Sequence, residues 1–327
     1  MLAGFFFGKN IQFYGSSLYT IYIVCHITMG CYASMSRSAG QTRAPEYVRL
    51  CKIAKQKLVK INASGNTHSS FYLDNRKNIW KIHKNMQPRE LKDLYLNNMR
   101  AFLLPKSEYI LKPSSICKLG STAFAIRMPK GTIDLFDFMH AEFDPTAIQD
   151  AFHQIAKAIH WLHDRRLAHR DIKPENILLH DGTWKMIDFD FCSPVEHLIH
   201  CGTECFFCGP DVTKLWPGPI SDKSKRADVY AFGKCILMAL WSAGEKGYMK
   251  QRRVIWVMFH KEYVPNIGIR IEEQWQPWLD IAMTCCAKVP PVEIPALPTT
   301  VVNTLRTIDT RTAVATVQMV DADVIFA

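Results

Sequence analysis

No internal repeat, no long basic run with interleaved aromatics and no even, regularly spaced set of cysteines occurs in the 327 residues of this chain. The first absence excludes an array of stacked units. The second leaves a formal charge of +10 scattered along the sequence, which suits acidic partners but gives no reason to expect nucleic-acid binding. The third concerns eleven cysteines, an odd number that includes the adjacent Cys285 and Cys286. It excludes a small secreted disulfide framework and points to reduced thiols inside a cell.

Charge itself is missing from Phe13 to Met35, where no Asp, Glu, Lys or Arg occurs. Such a stretch is long enough to span a bilayer, but Ser16, Ser17, Thr20, His26 and Thr28 lower its hydrophobicity below that of a typical membrane helix. It reads either as an anchor, with Arg37 and Arg43 holding the rest of the chain in the cytoplasm, or as a non-functional extension with Met35 as the real start. Membrane contact is expected only through residues 13–35. With 48% hydrophobic and 21% charged residues, the remainder has the composition of an ordinary folded protein, long enough for one substantial core or two modest lobes.

Apolar periodicity divides that remainder. After the leader, 1–45, the stretch 46–128 reads as short strands joined by turn-forming residues, with KLVKINAS, HSSFYLD and NIWKIHK followed by a helix over 88–102 and by the apolar runs ICKLGST and AFAIRM. From 129 to 290 helical spacing takes over. Ile148, Phe152, Ile155, Ile159 and Leu162 fall on one helical face, and DVYAFGKCILMALW is apolar almost all round, as a central buried helix would be. Residues 291–327 form a tail, with prolines at 290, 291, 295 and 298 breaking the chain at its start.

The chemistry-bearing residues are concentrated at HRDIKPEN, 169–176, ahead of the apolar run ILL, and at KMIDF, 185–189. A strand-rich first part, a connector and a helical second part that opens with HRDIKPEN resemble the eukaryotic-type serine/threonine protein kinase superfamily, over roughly Leu58 to Pro290. A loop that was merely charged and solvated would not reproduce so many identities at this spacing. The resemblance implies an α+β, two-lobed protein kinase-like fold, a small sheet with one helix on a larger helical lobe, with ATP and Mg²⁺ between them.

It also implies transfer of the γ-phosphate of Mg-ATP to serine or threonine hydroxyls of a protein substrate. Such a reaction depends on positioning and on neutralising charge, so each residue has a separate task. Asp171 would accept or orient the hydroxyl proton, Lys173 would neutralise the transferring phosphate, and Asn176 and Asp188 would hold the metal. Lys173, two residues after Asp171, is the serine/threonine form of the loop. On the nucleotide side Lys81 in NIWK is preferred to Lys84 for the phosphates, although strand geometry alone does not say which of the two points inward. Glu90 is the expected partner of that lysine, Met128 the hinge beside the adenine, and Asp134 the ribose contact.

Several positions depart from the family pattern. Gly65 is the single glycine where a glycine-rich phosphate loop is expected, and Asp190 stands where glycine normally follows Asp188 and Phe189. Asp190 is expected to stiffen the segment and to help retain the metal. CGTECFFCGPD, 201–211, resembles the end of an activation segment, with Thr203 on the substrate side and Gly209, Pro210 and Asp211 in place of Ala-Pro-Glu. Asp228 in DVYAFG would tie down the catalytic loop backbone, Gly233 would allow close helix packing, and Arg170 could meet a phosphate on Ser193. His197, His200, Cys201, Cys205 and Cys208 have loose zinc-ligand spacing, but a kinase segment needs no zinc, and they read as ordinary residues.

These departures keep a second reading open, a catalytically impaired pseudokinase acting as a binding scaffold. A small-molecule phosphotransferase of similar fold is a third, disfavoured by Lys173. Departures around an intact catalytic set are similar to those of divergent kinases from large DNA viruses. The expected location is intracellular, in the cytoplasm or nucleus, and in a host cell if the chain is viral.

Overall fold

The computed structural model describes residues 45–61, 69–141, 144–197, 202, 203, 206, 216–244 and 275–298. The leader stretch 13–35 and Gly65 lie outside these residues. No described helix is long and apolar enough to cross a membrane.

The chain starts with helix α1, Pro45–Ala54, and continues into strands β1, Val59–Ile61, β2, Ser69–Leu73, and β3, Asn78–Lys84. Helix α2, Pro88–Leu103, precedes β4, Ser115–Lys118, and β5, Ala123–Pro129. The five strands form one antiparallel sheet in the order β1-β2-β3-β5-β4. Alternation along a strand sends successive side chains to opposite faces, and here both faces of β3 are covered. Trp80 and Ile82 join Leu50 of α1, Tyr72 and Leu119 in one apolar cluster. On the other face Phe124 and Ile126 of β5 pack with Leu91 and Leu94 of α2. In register, Lys81 lies opposite Phe71 and Ile126, so it shares the α2 face.

Helix α1 falls outside the strand pattern read from the sequence. Tyr47, Leu50, Cys51 and Ala54 recur at helical spacing and pack on the sheet. The Tyr47 hydroxyl donates to the Leu58 carbonyl at 2.9 Å, and Arg49 donates to that of Leu119 at 2.6 Å. These bonds fix the helix over the sheet face opposite α2.

The second region begins with α3, Leu135–Ala141, and α4, Pro145–His163. Asp144 caps α4 by accepting the Thr146 and Ala147 N–H groups. All five apolar residues named for α4 are buried. Two short antiparallel pairs follow, β6, Leu167–Ala168, with β9, Ser193–Pro194, and the hairpin of β7, Ile177–His180, with β8, Thr183–Met186. Helix α5, Ile220–Gly244, runs through the core and packs against α6, Gln276–Cys285. A Cβ on Gly233 would stand 2.6 Å from Cys285 Cβ and 3.1 Å from the Ala282 carbonyl oxygen. The absence of a side chain therefore sets the closest approach of these two helices.

Because Leu50 is fully buried and seals the outer face of the sheet, Leu50→Ala should destabilise the protein by roughly 2–4 kcal/mol. Chemical denaturation compared with wild type measures this.

Candidate active site

Three short structures bring the polar groups together. The chain between β6 and the 3₁₀ turn Pro174–Asn176 carries His169 to Lys173, the strand-turn after β8 carries Asp188 to Asp190, and β3 supplies Lys81. A 2.9 Å bond from the Ile187 N–H to the Asn176 carbonyl ties the first two together.

The catalytic loop is held from below. Asp228 of α5 accepts the His169 and Arg170 N–H groups, each at 2.8 Å, and its Oδ2 lies 3.0 Å from His163 Nε2. Burial alone would raise the pKa of Asp228, but the hydrogen bond from His163 and the nearby positive ends outweigh it and hold the carboxyl below its ordinary range. His169 in turn packs edge-on against Phe189 and contacts the Ile187 carbonyl oxygen at 3.0 Å. Asp228 and Gly233 thus sit as the sequence pattern implies.

Asp171 has a full set of donors. Its Oδ1 accepts the Thr203 N–H at 2.9 Å and the Thr203 hydroxyl at 2.7 Å. Its Oδ2 accepts the Asn176 amide at 2.9 Å and lies 3.0 Å from Lys173 Nζ. Lys173 also donates to Thr203 Oγ1 at 2.6 Å. Burial pushes the Asp171 pKa up, but Lys173 and Thr203 reverse the shift and leave it lowered. The carboxylate is therefore ionised at neutral pH, as an acceptor of a hydroxyl proton must be.

Asn176 uses its amide nitrogen twice, to the Asp171 carboxylate and to the Asp171 carbonyl at 2.8 Å. That turns its Oδ1 the other way, and this oxygen is buried with no hydrogen-bond partner. A buried acceptor without a donor is costly, and a hard cation satisfies it. Asp188 has the complementary excess. Burial raises its pKa, the neighbouring Asp190 raises it further, and Lys81 opposes both without cancelling them. An unpartnered carbonyl oxygen and a crowded carboxylate, with a single ammonium for two acids, fit a divalent cation chemically.

Lys81 is the buried strand lysine, and Lys84 is only half-buried. Its Nζ lies 3.0 Å from Asp188 Oδ2 and 2.7 Å from Asp190 Oδ2. Glu90 does not take part. It is exposed in the first turn of α2, where its carboxylate accepts the Gln87 N–H at 3.3 Å, so the expected Lys81–Glu90 pair is replaced by a pair within the segment after β8. Asp190 is also tied to α2. Its other oxygen accepts the Asn98 amide at 2.8 Å, and its main-chain oxygen accepts that of Asn97 at 2.7 Å. Two asparagines in the middle of a helix are poor helix formers. Asn97 and Asn98 were missed in the sequence, where that local cost in LYLNNMR is the signal that could have marked them.

Two further expectations are modified. Asp134 has no exposed surface and caps α3, with Oδ1 accepting the Asp137 N–H at 2.8 Å, so it does not open onto a nucleotide in this conformation. Ser193 is buried and shares its hydroxyl with Arg170 Nε at 2.9 Å, while the guanidinium also donates to the Pro194 carbonyl at 2.9 Å. Arg170 is thus employed without a phosphate, and Ser193 is shielded from one. Met128 is half-buried on the Lys81 face, opposite Ile79. His200, Cys201, Cys205, Cys208 and Gly209 to Asp211 lie outside the described residues. Among the described residues no group of three or more His, Cys, Asp or Glu side chains is placed to hold a metal ion.

The model of the protein kinase domain matches residues 73–289. The chain belongs to the protein kinase family. Among curated proteins, this kinase domain is 30% identical over 137 residues to the probable serine/threonine-protein kinase mkcF of Dictyostelium discoideum, covering 40% of this chain and 20% of that one. It is 34% identical over 111 residues to the cAMP-dependent protein kinase catalytic subunit 2 of Drosophila melanogaster, covering 33% and 29%. It is 28% identical over 116 residues to the mouse cyclin-dependent kinase-like 5, covering 35% and 12%. These kinase matches thus span less than a third of the relatives' own length. Membership of the family implies ATP and a divalent metal.

His83, two residues after Lys81, is buried against Phe124 with its Nε2 3.4 Å from Asp190 Oδ1. Burial lowers its pKa, Asp190 opposes this, Lys81 adds to it, and the result is about 4, against 6.5 for a free histidine. Between those values the unfolded chain binds the proton that the folded protein refuses, so stability falls as pH falls. Acidification from pH 7.5 to 5 should cost on the order of 2 kcal/mol through this residue. The corresponding slope in unfolding free energy should be shallower in His83→Gln.

Proposed function

We propose that the protein is an active serine/threonine kinase that transfers the γ-phosphate of Mg-ATP to hydroxyls of a protein substrate. The observation that carries this reading is the paired state of Asp171 and Asn176. The carboxylate is ionised and held by Lys173, Asn176 and Thr203, while the Asn176 oxygen is left buried and unpartnered. A buried acceptor without a donor is costly, and a divalent cation held with Asp188 would satisfy it.

In this reading Asn176 and Asp188 hold the magnesium ion, which supplies charge neutralisation for the nucleotide phosphates when bound. Lys81 meets the phosphates from β3. Asp171 accepts the proton of the substrate hydroxyl, and Lys173, already 2.6 Å from Thr203 Oγ1, stands beside the path of the transferred group. Thr203 bridges the substrate-side segment to the catalytic carboxylate through its N–H and its hydroxyl, so correct placement of that segment and of the base are the same event. Serine/threonine specificity is supported by Lys173 and by the similarity to the probable serine/threonine-protein kinase mkcF.

Incubation of the purified protein with labelled ATP and magnesium, with a mixture of serine, threonine and tyrosine peptides, tests the reading. Label is expected on serine and threonine, and Asp171→Asn should reduce the rate by roughly 10²–10⁴-fold. Nucleotide binding by the wild type without any transfer would instead establish the pseudokinase.

A further inference from the structure

We propose that Asp190 is the positioning residue for Lys81, taking over the counter-ion role expected of Glu90 on α2. The inference rests on the nucleotide-binding reading above and adds to it a division of labour between two neighbouring carboxylates.

Lys81 is buried and touches two acids, Asp188 at 3.0 Å and Asp190 at 2.7 Å. Both acids of α2, Glu90 and Asp93, are exposed. A buried ammonium that lost every partner would be strongly unfavourable. Asp188 is the acid that the metal claims, so Asp190 must hold the lysine whenever the metal is bound.

Asp190 is built for that fixed role. Its Oδ1 is bound to Asn98 and its main-chain oxygen to Asn97, so the carboxylate cannot swing toward a metal without breaking bonds to α2. Its remaining oxygen points to Lys81. The contact that a helix acid would make directly is therefore made in two steps, Asn98 to Asp190 and Asp190 to Lys81. Helix α2 is docked through neutral amides, and the negative charge is carried by the segment after β8. Glycine at 190 would remove the charge and the acceptor that Asn98 uses, leaving only the Asn97 bond to the main-chain oxygen.

Calorimetric titration with MgADP tests the assignment in wild type, Asp190→Asn, Asp190→Asn with Asn98→Asp, and Glu90→Gln. Asp190→Asn is expected to weaken MgADP by about tenfold or more at saturating magnesium. Adding Asn98→Asp, which returns a carboxylate to the same hydrogen-bonded pair, should recover most of the loss, and Glu90→Gln should remain within about twofold of wild type. Three results would overturn the proposal: unchanged affinity in Asp190→Asn, a loss abolished by raising magnesium, or an equal loss in Glu90→Gln. If the wild type binds no nucleotide, the nucleotide-binding reading fails by itself. Amide hydrogen exchange of residues 91–101 in the nucleotide-free proteins then decides. Faster exchange in Asp190→Asn supports the link, and an unchanged rate overturns it.

Discussion

A buried lysine between two aspartates, Lys81 with Asp188 and Asp190, is the constraint from which the rest of the site follows. Burial by itself would strip the proton from the lysine, yet the two carboxylates raise its pKa above the ordinary value. Three formal charges can share this space only if each is held by something else. Asp190 is held by α2 through Asn97 and Asn98, and Asp188 stands at the end of a segment hydrogen-bonded to Asn176. The sheet, the helix and the catalytic loop therefore meet at one electrostatic junction, and neither lobe can shift without disturbing it.

Below that junction the second region is organised around Asp228. One carboxylate on α5 satisfies two N–H groups of the catalytic loop and contacts His163, so the loop takes its shape from the core helix and not from its own turn propensity. Arg170 adopts a left-handed backbone, φ 69°, as does Asp188, φ 61°. Such conformations are costly for residues with a Cβ and persist because several bonds over-determine them. Arg170 spends its guanidinium on Ser193, Pro194 and its surroundings, which holds the start of the following segment with no phosphate. This arrangement agrees with a site assembled in the unmodified chain.

Much of this was legible in advance. HRDIKPEN and MIDF pointed to the family because their spacing reflects a turn, a 3₁₀ step and a strand that bring separate side chains to one place. The turn-forming residues before NIWKIHK placed a strand, and helical periodicity placed α4. What escaped were contacts with distant partners that no motif of the sequence records. Glu90 was expected beside Lys81 because it is an acid on the right helix, but it lies in the first turn, where the helix points it to solvent. Asp134 was read from the family resemblance as a ribose contact, and the start of α3 uses it as a cap. Helix α1 was passed over because its apolar residues make sense only once the outer face of the sheet exists to receive them.

The sequence by itself determined the family, the strand segments and the position of the HRDIKPEN loop, since these depend on local periodicity and on short-range spacing that a linear pattern records. Tertiary structure alone decided which carboxylate faces Lys81. That choice depends on the distance between β3, α2 and the turn after β8, where Asp190 and Asn98 lie 92 residues apart in the chain yet 2.8 Å apart in space. Coulomb energy falls with separation and rises as water is excluded, and neither quantity is written in the order of the residues.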